Sequence, residues 1–523
     1  MKLNRSALDN RSQWADAGIA LPQFDLDVLA AETAKAPAWI HFGAGNIFRA
    51  FPAAVQQTLL DTGAANTGII VAEGYDYEII DALFTPHYNL SLLVTLKADG
   101  SIEKTVVGSM TEALKVDSGN ASDFARLKEI FRAPSLQMVS FTITEKGYSL
   151  VRGDGSLLPD VAADFQAGPA APDSYIGKLV ALCYERYLAG ALPLALVSMD
   201  NCSHNGDKLR DAVTAFAKEW TQNGLAKPGF AAYIADPAKI SFPWSMIDKI
   251  TPRPDEDVKR MLVDCGFEDA EGTVTTKNTF IAPFVNAEET QWLVIEDHFP
   301  NGRPPLERGG VIFTDRETVD KVEKMKVCTC LNPLHTSLAI YGCLLGYTKI
   351  SDEMKDADLV KLIETVGYAE GLPVVVNPGI LDPKAFIDNV VQVRLPNPFM
   401  PDTPQRIACD TSQKLSIRFG ETIKSYLRSP DLDVLSLRAI PLVLAGWLRY
   451  LQGVNDEGKP FDCSPDPLLD AARAKLSDLP SLLSDASIFG VNLYEAGLAD
   501  RVIELLEQLS QGPGSVRRAL QSL

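Results

Sequence analysis

Residues 38–51, A-W-I-H-F-G-A-G-N-I-F-R-A-F, place the strongest constraint on the fold of this chain. An apolar run ends at Gly43 and Gly45, and apolar residues at helical spacing follow at once. A strand, a tight glycine turn and a helix in this order hold a dinucleotide pyrophosphate against the amides at the helix N-terminus. The stretch therefore predicts a parallel sheet with a coenzyme-binding turn. The predicted coenzyme contacts of this turn are Gly43, Gly45, Asn46 and Ile47.

A second buried strand is predicted within residues 67–74, T-G-I-I-V-A-E-G, and it ends in Glu73. A carboxylate at this point can accept hydrogen bonds from the adenosine ribose, which favours NAD over NADP as the coenzyme. Asp76 is the alternative residue for this role. Because the turn lacks the third glycine of the usual pattern, two glycine-bounded strands without a coenzyme are the other interpretation.

A third parallel strand is predicted at residues 137–143, and the polar block T-E-K-G-Y follows it at 144–148. Ligands of open α/β sheets bind at the carboxyl ends of the strands. Thr144 and Glu145 are therefore predicted to contact the coenzyme.

The fourth strand of this series, L-P-L-A-L-V-S at 192–198, leads into M-D-N-C-S-H-N-G at 199–206. The amides of Asn201 and Asn205 stand at the carboxyl end of this strand, where they could contact a substrate. The alternative is an asparagine-rich turn that caps a helix beginning near Asp207.

The length of 523 residues exceeds what one hydrophobic core supports and predicts two domains. Residues 87–113 alternate apolar and polar positions, which predicts a β-hairpin inserted into the first domain. Residues 297–310 are rich in proline and glycine and indicate a linker, after which the pattern is mostly helical. The predicted fold class is α/β. A Rossmann-type NAD-binding domain of residues 1–305 precedes a mostly α-helical substrate domain of residues 306–523, with the site between them.

Composition excludes several classes of function. The formal net charge of −19 argues against nucleic acid and anionic membranes as partners. The first residues lack the apolar stretch of a signal peptide, and the apolar segment 439–448 is about half the length that a bilayer needs, so a cytoplasmic protein is expected. The five histidines do not stand at metal-ligand spacing, so no metal is predicted.

Residues 323–335, E-K-M-K-V-C-T-C-L-N-P-L-H, combine an amine, an amide and an imidazole with apolar neighbours. These groups, on Lys326, Asn332 and His335, suit proton transfer to a bound hydroxyl or carbonyl. The alternative is a helix with one polar edge and a buried structural histidine.

Several motifs occur in an order that resembles the polyol-specific long-chain dehydrogenases, the mannitol dehydrogenase family. They are H-F-G-A-G-N-I-F-R-A at 41–50, T-E-K-G-Y at 144–148, M-D-N-C-S-H-N-G at 199–206, F-P-W-S-M-I-D-K-I-T-P at 242–252 and Q-W-L-V-I-E-D at 291–297. The likeness covers roughly residues 36–450. It implies a zinc-independent, NAD-dependent enzyme that interconverts a secondary alcohol and a ketone.

The resemblance also implies catalytic roles. Lys326 is similar to the family's general acid/base, and Asn201 and Asn332 resemble the pair that hydrogen-bonds the reacting oxygen. His335 resembles the residue that orients a neighbouring substrate hydroxyl. Glu323 matches a carboxylate that gates proton exchange with solvent. A lysine has an unperturbed pKa of about 10.4, so this chemistry needs burial or cationic neighbours to lower it.

Substrate contacts are implied for Asp248 and for Arg406 and Lys414 of R-I-A-C-D-T-S-Q-K. The last two are possible partners of a carboxylate. Together with the resemblance of the motifs, they favour the oxidation of a sugar acid, D-mannonate, by NAD to D-fructuronate. Oxidation of mannitol or arabinitol, or of altronate to tagaturonate, remains an alternative. A non-catalytic dinucleotide-binding regulatory protein is the remote one. A monomer or weak homo-oligomer is expected.

The spacing within residues 323–335 departs from the family, because five residues rather than four separate Lys326 from Asn332. On a regular helix the extra residue would rotate the lysine by about 100° relative to the asparagine. A π-bulge or a non-helical break could absorb it, and Pro333 should disturb the hydrogen bonding near Thr329. We predict that the Lys326 amine still points at the same spot as the Asn332 amide.

Overall fold

The computed structural model describes residues 1–253 and 256–523. The chain divides into two compact units. Unit 1 comprises Met1–Leu96 and Ile102–Asp320, and unit 2 comprises Lys97–Ser101 and Lys321–Leu523. The domain boundary predicted between residues 305 and 306 stays a prediction.

Unit 1 is built on β-strands, most of them short. The strands are β1 (Ile19–Ala20), β2 (Trp39–Phe42), β3 (Ile69–Glu73), β4 (Ser91–Leu96), β5 (Ile102–Val107), β6 (Met110–Lys115), β7 (Met138–Phe141), β8 (Leu194–Ser198), β9 (Ile240–Ser241), β10 (Ser245–Asp248), β11 (Thr273–Val274), β12 (Phe280–Ile281), β13 (Phe284–Glu288), β14 (Trp292–Glu296) and β15 (Ile312–Thr314).

The main sheet of unit 1 has the strand order β6-β3-β2-β7-β8-β9, and every neighbouring pair is parallel. Strands β2, β3, β7 and β8 are buried along their whole length. Burial on both faces explains why their sequences are continuous apolar runs rather than alternating ones. This parallel sheet, whose strands alternate with helices along the chain, confirms the predicted α/β Rossmann-type fold.

The predicted β-hairpin is confirmed in its first part, where β4 pairs antiparallel with β5. The hairpin belongs to a second sheet, of order β1-β5-β4-β13. The last part of the predicted hairpin is different, because Met110–Lys115 forms β6 and pairs parallel with β3 in the main sheet. Alternation along the sequence identified the strands but not the sheet to which each belongs.

Helices connect the strands of unit 1. They are α1 (Arg5–Leu8), α2 (Arg11–Asp16), α3 (Leu26–Lys35), α4 (Asn46–Ala50), α5 (Pro52–Asp61), α6 (Ala121–Arg132), α7 (Pro159–Ala167), α8 (Tyr175–Leu188), α9 (Asn205–Gln222), α10 (Phe230–Ala235) and α11 (Glu256–Asp264), with α12 (Arg316–Met325) at the border with unit 2.

Unit 2 is almost entirely helical, as predicted. Its helices are α13 (Asn332–Leu345), α14 (Ile350–Glu353), α15 (Ala357–Glu364), α16 (Pro383–Asn389), α17 (Pro404–Ile407), α18 (Glu421–Arg428), α19 (Ala439–Leu451), α20 (Leu469–Ala474), α21 (Leu479–Leu483), α22 (Ala486–Phe489), α23 (Ala499–Leu509) and α24 (Ser515–Gln521). Every residue of α19 is buried, which makes it the central helix of this unit. No helix in the described part of the chain is long and apolar enough to span a membrane.

Unit 2 also contains several π-helical segments, in which the backbone is wound more widely than in an α-helix. These are Lys326–Cys330, Thr365–Gly371, Val390–Arg394 and Ser416–Gly420. Such segments are rare and occur frequently at functional sites. Three of them carry a cation, namely Lys326, Arg394 or Arg418.

Candidate active site

The glycine turn of unit 1 joins β2 to α4. Gly43 has φ +110°, and a Cβ atom added to it would lie 2.3 Å from the carbonyl oxygen of Thr142. Its N–H donates to the Ala72 carbonyl at 2.8 Å, so the turn is held against the neighbouring strand. Gly45 is exposed, and a Cβ atom added there would meet no heavy atom within 4 Å. Only glycine fits position 43, whereas position 45 borders open space, and its coenzyme contact stays a prediction.

The carboxylate of Glu73, at the end of β3, braces this turn. It is buried, and it accepts hydrogen bonds from the backbone N–H groups of Ala44 at 2.8 Å, Tyr75 at 2.7 Å and Asp76 at 3.0 Å. The alternative ribose partner, Asp76, is also buried and accepts a hydrogen bond from the Thr275 hydroxyl at 2.6 Å. Both carboxylates thus already have protein donors, and the ribose contact of Glu73, with Asp76 as the alternative, stays a prediction.

The first turn of α4 is anchored by a buried arginine. The side-chain oxygen of Asn46 accepts from the Arg49 guanidinium at 2.8 Å, and Arg49 also donates to Ser91 at 3.0 Å and to the Ala282 carbonyl at 2.9 Å. Burial lowers the pKa of Arg49 to about 10. The Asn46 oxygen is thus occupied by this bond, and the coenzyme contacts of Asn46 and Ile47 stay predictions.

The carboxyl end of β7 carries backbone strain. Thr144 is exposed and has φ +65° and ψ 159°, a conformation that non-glycine residues rarely adopt. Asp200, just after β8, holds it by accepting from the N–H groups of Ile143 and Thr144, each at 2.9 Å. The same carboxylate accepts from the Tyr148 hydroxyl at 2.5 Å, and burial raises the pKa of Asp200. Glu145, the other predicted coenzyme contact in this loop, is exposed.

The two predicted amides after β8 differ in their surroundings. Asn201 is exposed, whereas Asn205 is buried as the first residue of α9. The Asn205 amide group donates to the carbonyls of Ser198 at 3.3 Å and Ser245 at 3.0 Å, and its oxygen accepts from the Ser245 N–H at 3.0 Å. These bonds give Asn205 a structural role in joining β8 to β10, and its substrate contact stays a prediction. Asp248 is the buried last residue of β10.

In unit 2 the extra residue between Lys326 and Asn332 is absorbed in two steps. Lys326–Cys330 is π-helical, and Leu331 then leaves the helical conformation with φ −127° and ψ −61°. A new helix, α13, begins at Asn332 with Pro333 in its first turn. The predicted disturbance near Thr329 is confirmed. Pro333 costs little, because the amide hydrogens of a first helical turn have no intrahelical partner.

Lys326 is buried, with 4 % of its surface exposed, and Asn332 is partly exposed. The Asn332 carbonyl accepts from the Thr336 hydroxyl at 2.9 Å. The Asn332 side-chain amide makes no hydrogen bond to another residue in the described part of the chain. It is therefore available to a ligand. Glu323 is partly exposed one turn before the π-helical segment. The predicted convergence of the Lys326 amine and the Asn332 amide stays a prediction.

His335 follows in the first turn of α13 and is a neutral imidazole in cationic surroundings. Its Nε2 lies 3.5 Å from an oxygen of the buried Asp402. Burial is the main cause that lowers the pKa of His335 to about 3, and four neighbouring cations contribute to the same shift. These cations are Arg394, Arg418, Arg406 and Lys414. The structure thus groups the predicted residues His335, Arg406 and Lys414.

Two of these cations also interact with their own loops. Arg406 forms an ion pair with Asp402, and Lys414 donates to the Cys409 carbonyl at 2.5 Å. The pKa of Lys414 is lowered by burial and then by Arg418. The loop between Arg406 and Lys414 contains Asp410 with φ +52°, so it is a further strained position beside predicted ligand contacts.

Sequence reasoning missed four residues of these groups: Asp200, Arg394, Asp402 and Arg418. Asp200 stands inside a quoted motif, so its acidic side chain at a strand end was the available signal. The other three lie in loops or π-helical segments, where no periodic pattern marks which side chain turns inward.

A parallel Rossmann sheet with a glycine turn, followed by a helical unit that carries a buried lysine, an amide and a neutral imidazole, is the arrangement expected of a dehydrogenase. Comparison with protein families agrees. Residues 37–308 match the mannitol dehydrogenase Rossmann domain, and residues 318–510 match the mannitol dehydrogenase C-terminal domain. The chain belongs to the mannitol dehydrogenase family, so the predicted family and the predicted class, an oxidoreductase, are confirmed.

Similar proteins cover most or all of the chain. A D-mannonate oxidoreductase of Thermotoga maritima is 52% identical over 100% of this chain and 99% of its own. A mannitol 2-dehydrogenase of Phaeosphaeria nodorum is 31% identical over 87% of this chain and 76% of its own. Among solved structures, the ternary complex of Pseudomonas fluorescens mannitol 2-dehydrogenase with NAD and D-mannitol is 26% identical, covers 100% of this chain and 99% of its own, and has a TM-score of 0.69.

Proposed function

We propose that this protein is an NAD-dependent oxidoreductase that interconverts D-mannonate and D-fructuronate. The observation that carries the sugar-acid assignment is the cationic environment of His335, which Arg406 reaches through Asp402 and Arg418 through Thr336. A polyol offers no charge to such an environment, whereas a carboxylate does. The 52% identity to a D-mannonate oxidoreductase over the whole chain supports the same substrate.

NAD is the coenzyme. Gly45 and the backbone amides of Asn46 and Ile47 would hold its pyrophosphate, and the acidic groups of Glu73 and Asp76 disfavour the extra phosphate of NADP. When bound, NAD would supply the acceptor for the hydride of the substrate carbinol carbon. Thr144 and Glu145 lie at the neighbouring strand end and remain proposed coenzyme contacts.

The proton is handled by side chains of the protein. Lys326 takes the proton of the substrate hydroxyl while the carbon–hydrogen bond gives up its hydride, so negative charge does not accumulate on the reacting oxygen. Asn201 and Asn332 donate to the reacting oxygen, and removal of one such donor costs roughly a hundredfold or more in rate.

The remaining roles concern orientation and exchange. His335 stays neutral and can accept from, or donate to, a neighbouring substrate hydroxyl. Glu323 passes the proton between Lys326 and solvent. Asp248, Arg406 and Lys414 position the substrate, and Asn205 supports the loop that carries Asn201.

Replacement of Lys326 by alanine tests the catalytic assignment. We expect the kcat for D-fructuronate reduction to fall by about 100- to 10,000-fold, the usual contribution of a general acid/base. NADH affinity, measured by fluorescence titration, should stay within about twofold. Lys324→Ala, at an exposed lysine of α12, is the matched control. Turnover that persists in Lys326→Ala would refute the assignment.

The second candidate function is that of a polyol 2-dehydrogenase, favoured by the structural likeness to mannitol 2-dehydrogenase. Steady-state kinetics of NADH oxidation with D-fructuronate, D-tagaturonate and D-fructose separate the candidates. The proposal requires the highest kcat/KM with D-fructuronate. A higher value with D-fructose would establish the polyol assignment instead.

The same proposal includes a small-molecule substrate as the main partner, a monomeric or weakly oligomeric enzyme, and no role for nucleic acid. We propose the cytoplasm as its location. Gel filtration with light scattering checks the oligomeric state.

A further inference from the structure

Arg418 differs from the other cations near His335 in what surrounds it. It lies in the π-helical segment Ser416–Gly420 and is partly buried. Its guanidinium donates to the hydroxyl of Thr336, the residue after His335 in α13. No carboxylate in the described part of the chain forms an ion pair with it. The neutral Thr336 hydroxyl therefore occupies only one of its five N–H donors.

A partly buried charge without a counter-ion is unusual in proteins. Removing a guanidinium from water is costly unless an opposite charge and hydrogen bonds replace the solvent. Burial lowers the pKa of Arg418 to about 10, and no acidic neighbour among the described residues opposes this shift. The Arg418 side chain thus carries a desolvation cost that an anionic ligand would offset.

The surroundings also favour an anion. Asp402, the carboxylate that faces His335, already neutralises Arg406. Thr336 lies in the second turn of α13, a helix of 14 residues whose N-terminal end is electropositive. A planar guanidinium can bind a carboxylate through two parallel hydrogen bonds, which a lysine ammonium cannot do.

We propose that Arg418 binds the carboxylate of the sugar acid and thereby determines the preference for a sugar acid over a polyol. This inference rests on the proposed function. It adds a specificity-determining residue that the spacing of Arg406 and Lys414 did not indicate.

The decisive measurement is kcat/KM for D-fructuronate and for D-fructose, each with NADH, in the wild type and in Arg418→Gln. We expect Arg418→Gln to lower kcat/KM for D-fructuronate by about 10- to 100-fold, mainly through a higher KM, because a charge-assisted hydrogen bond is lost. The kcat/KM of Arg418→Gln for D-fructose should differ from that of the wild type by less than about threefold. Arg418→Lys keeps the charge but not the two-bond geometry, so its loss should be intermediate.

Two further variants separate charge from structure. Thr336→Val removes the hydroxyl that Arg418 contacts but keeps the guanidinium, so the preference for D-fructuronate should persist. Arg428→Gln, at an exposed arginine that ends α18, should change neither substrate. If Thr336→Val reproduced the selective loss seen in Arg418→Gln, a structural role would replace the proposed one.

The outcomes distinguish this inference from the function on which it rests. A wild type without preference for D-fructuronate would refute the proposed function itself. A wild type with that preference, and an Arg418→Gln variant that loses activity equally with both substrates, would refute only the role of Arg418. If Arg418→Gln did not fold, as judged by circular dichroism, an unchanged substrate ratio in Arg418→Lys would refute the role equally.

Discussion

The glycine turn of unit 1 and the segment 323–335 of unit 2 are built in opposite ways. The turn presents backbone amides, and its shape depends on Gly43 having φ +110°. The segment presents side chains, and its shape depends on a π-helical stretch followed by a break at Leu331. A binding site made of backbone amides needs a position without a side chain, and a glycine in the sequence marks that position directly. A site made of side chains needs the packing of the surrounding helices to orient them.

Two buried glutamates, one in each unit, also differ in how their carboxyl groups are hydrogen-bonded. Glu73 accepts three backbone N–H groups and therefore stabilises the turn. Glu353, the last residue of α14, is fully buried, and neither of its oxygens has a hydrogen-bond donor in the described part of the chain. Burial raises the pKa of Glu353 to about 9. The carboxylate of unit 1 is surrounded by backbone donors, whereas burial without donors favours the neutral acid in unit 2.

The largest effect is expected from Gly43→Ala, which tests whether the turn depends on glycine. The Cβ atom would lie 2.3 Å from the Thr142 carbonyl oxygen at a φ of +110°. We expect a loss of about 4 kcal/mol in the free energy of unfolding, measured with urea, from strain and steric overlap together. Gly63→Ala is the control, because Gly63 has φ +68° with nothing within 4 Å and so reports strain alone. Equal losses in both variants would contradict the steric argument.

Glu353→Gln is expected to stabilise the protein. Below pH 4.5 the carboxyl is protonated in both states, and between pH 4.5 and about 9 only the unfolded state loses the proton. Stability of the wild type should therefore fall as the pH rises through this window. At pH 7 the variant should gain about 3 kcal/mol in the free energy of unfolding, and at pH 4 almost nothing.

Urea titrations of wild type and Glu353→Gln at several pH values measure this difference. Glu73→Gln is the matched variant in unit 1, and it should be destabilised by about 1–3 kcal/mol because an acceptor of backbone N–H groups is lost. If the difference in the free energy of unfolding between wild type and Glu353→Gln did not grow with pH, Glu353 would not be a neutral acid in the folded protein.

His335 should make the protein less stable in acid. Its pKa is lowered from 6.5 to about 3, so between these values only the unfolded state takes up the proton. Stability is lost as the pH falls through this window, by about 2 kcal/mol at pH 5. His335→Gln should remove this part of the acid dependence, as followed by urea unfolding at pH 5 and pH 7.5. His298→Gln, at a partly exposed histidine, serves as the comparison.

Gly45→Ala should have the smallest effect on stability, and its main consequence should be weaker binding of NADH. A Cβ atom at this position meets no protein atom within 4 Å, so the free energy of unfolding without coenzyme should change by less than about 1 kcal/mol. NADH affinity should weaken about tenfold, because the methyl group occupies the space proposed for the pyrophosphate. Unchanged NADH affinity would place the pyrophosphate elsewhere.

Strands β2, β3, β7 and β8 were predictable from the sequence within a few residues, because a short apolar run between polar loops is typical of a buried strand. The assignment of strands to sheets was not predictable. Met110–Lys115 resembled one arm of a hairpin and proved to be an edge strand of the main sheet. Residues 240–248, with their proline, contain two short strands that no pattern indicated.

The candidate site shows the same limit at the level of single residues. Lys326, Asn332 and His335 were recognisable from chemistry and motif order. The extra residue in their spacing predicted a π-bulge or a non-helical break, and the structure has both. The structural hydrogen bonds of Asn205 were not foreseeable, because its partner Ser245 lies 40 residues away in sequence.

The amino-acid sequence alone determined the family, the Rossmann turn and the polar segment at 323–335, since each depends on residues that are neighbours along the chain. The tertiary structure determined which charged side chains lie close together. Arg394, Asp402 and Arg418 come from separate loops and π-helical segments, and only the packing of unit 2 brings them close to His335. Electrostatic interaction depends on distance in space and on burial, and neither follows from separation along the sequence.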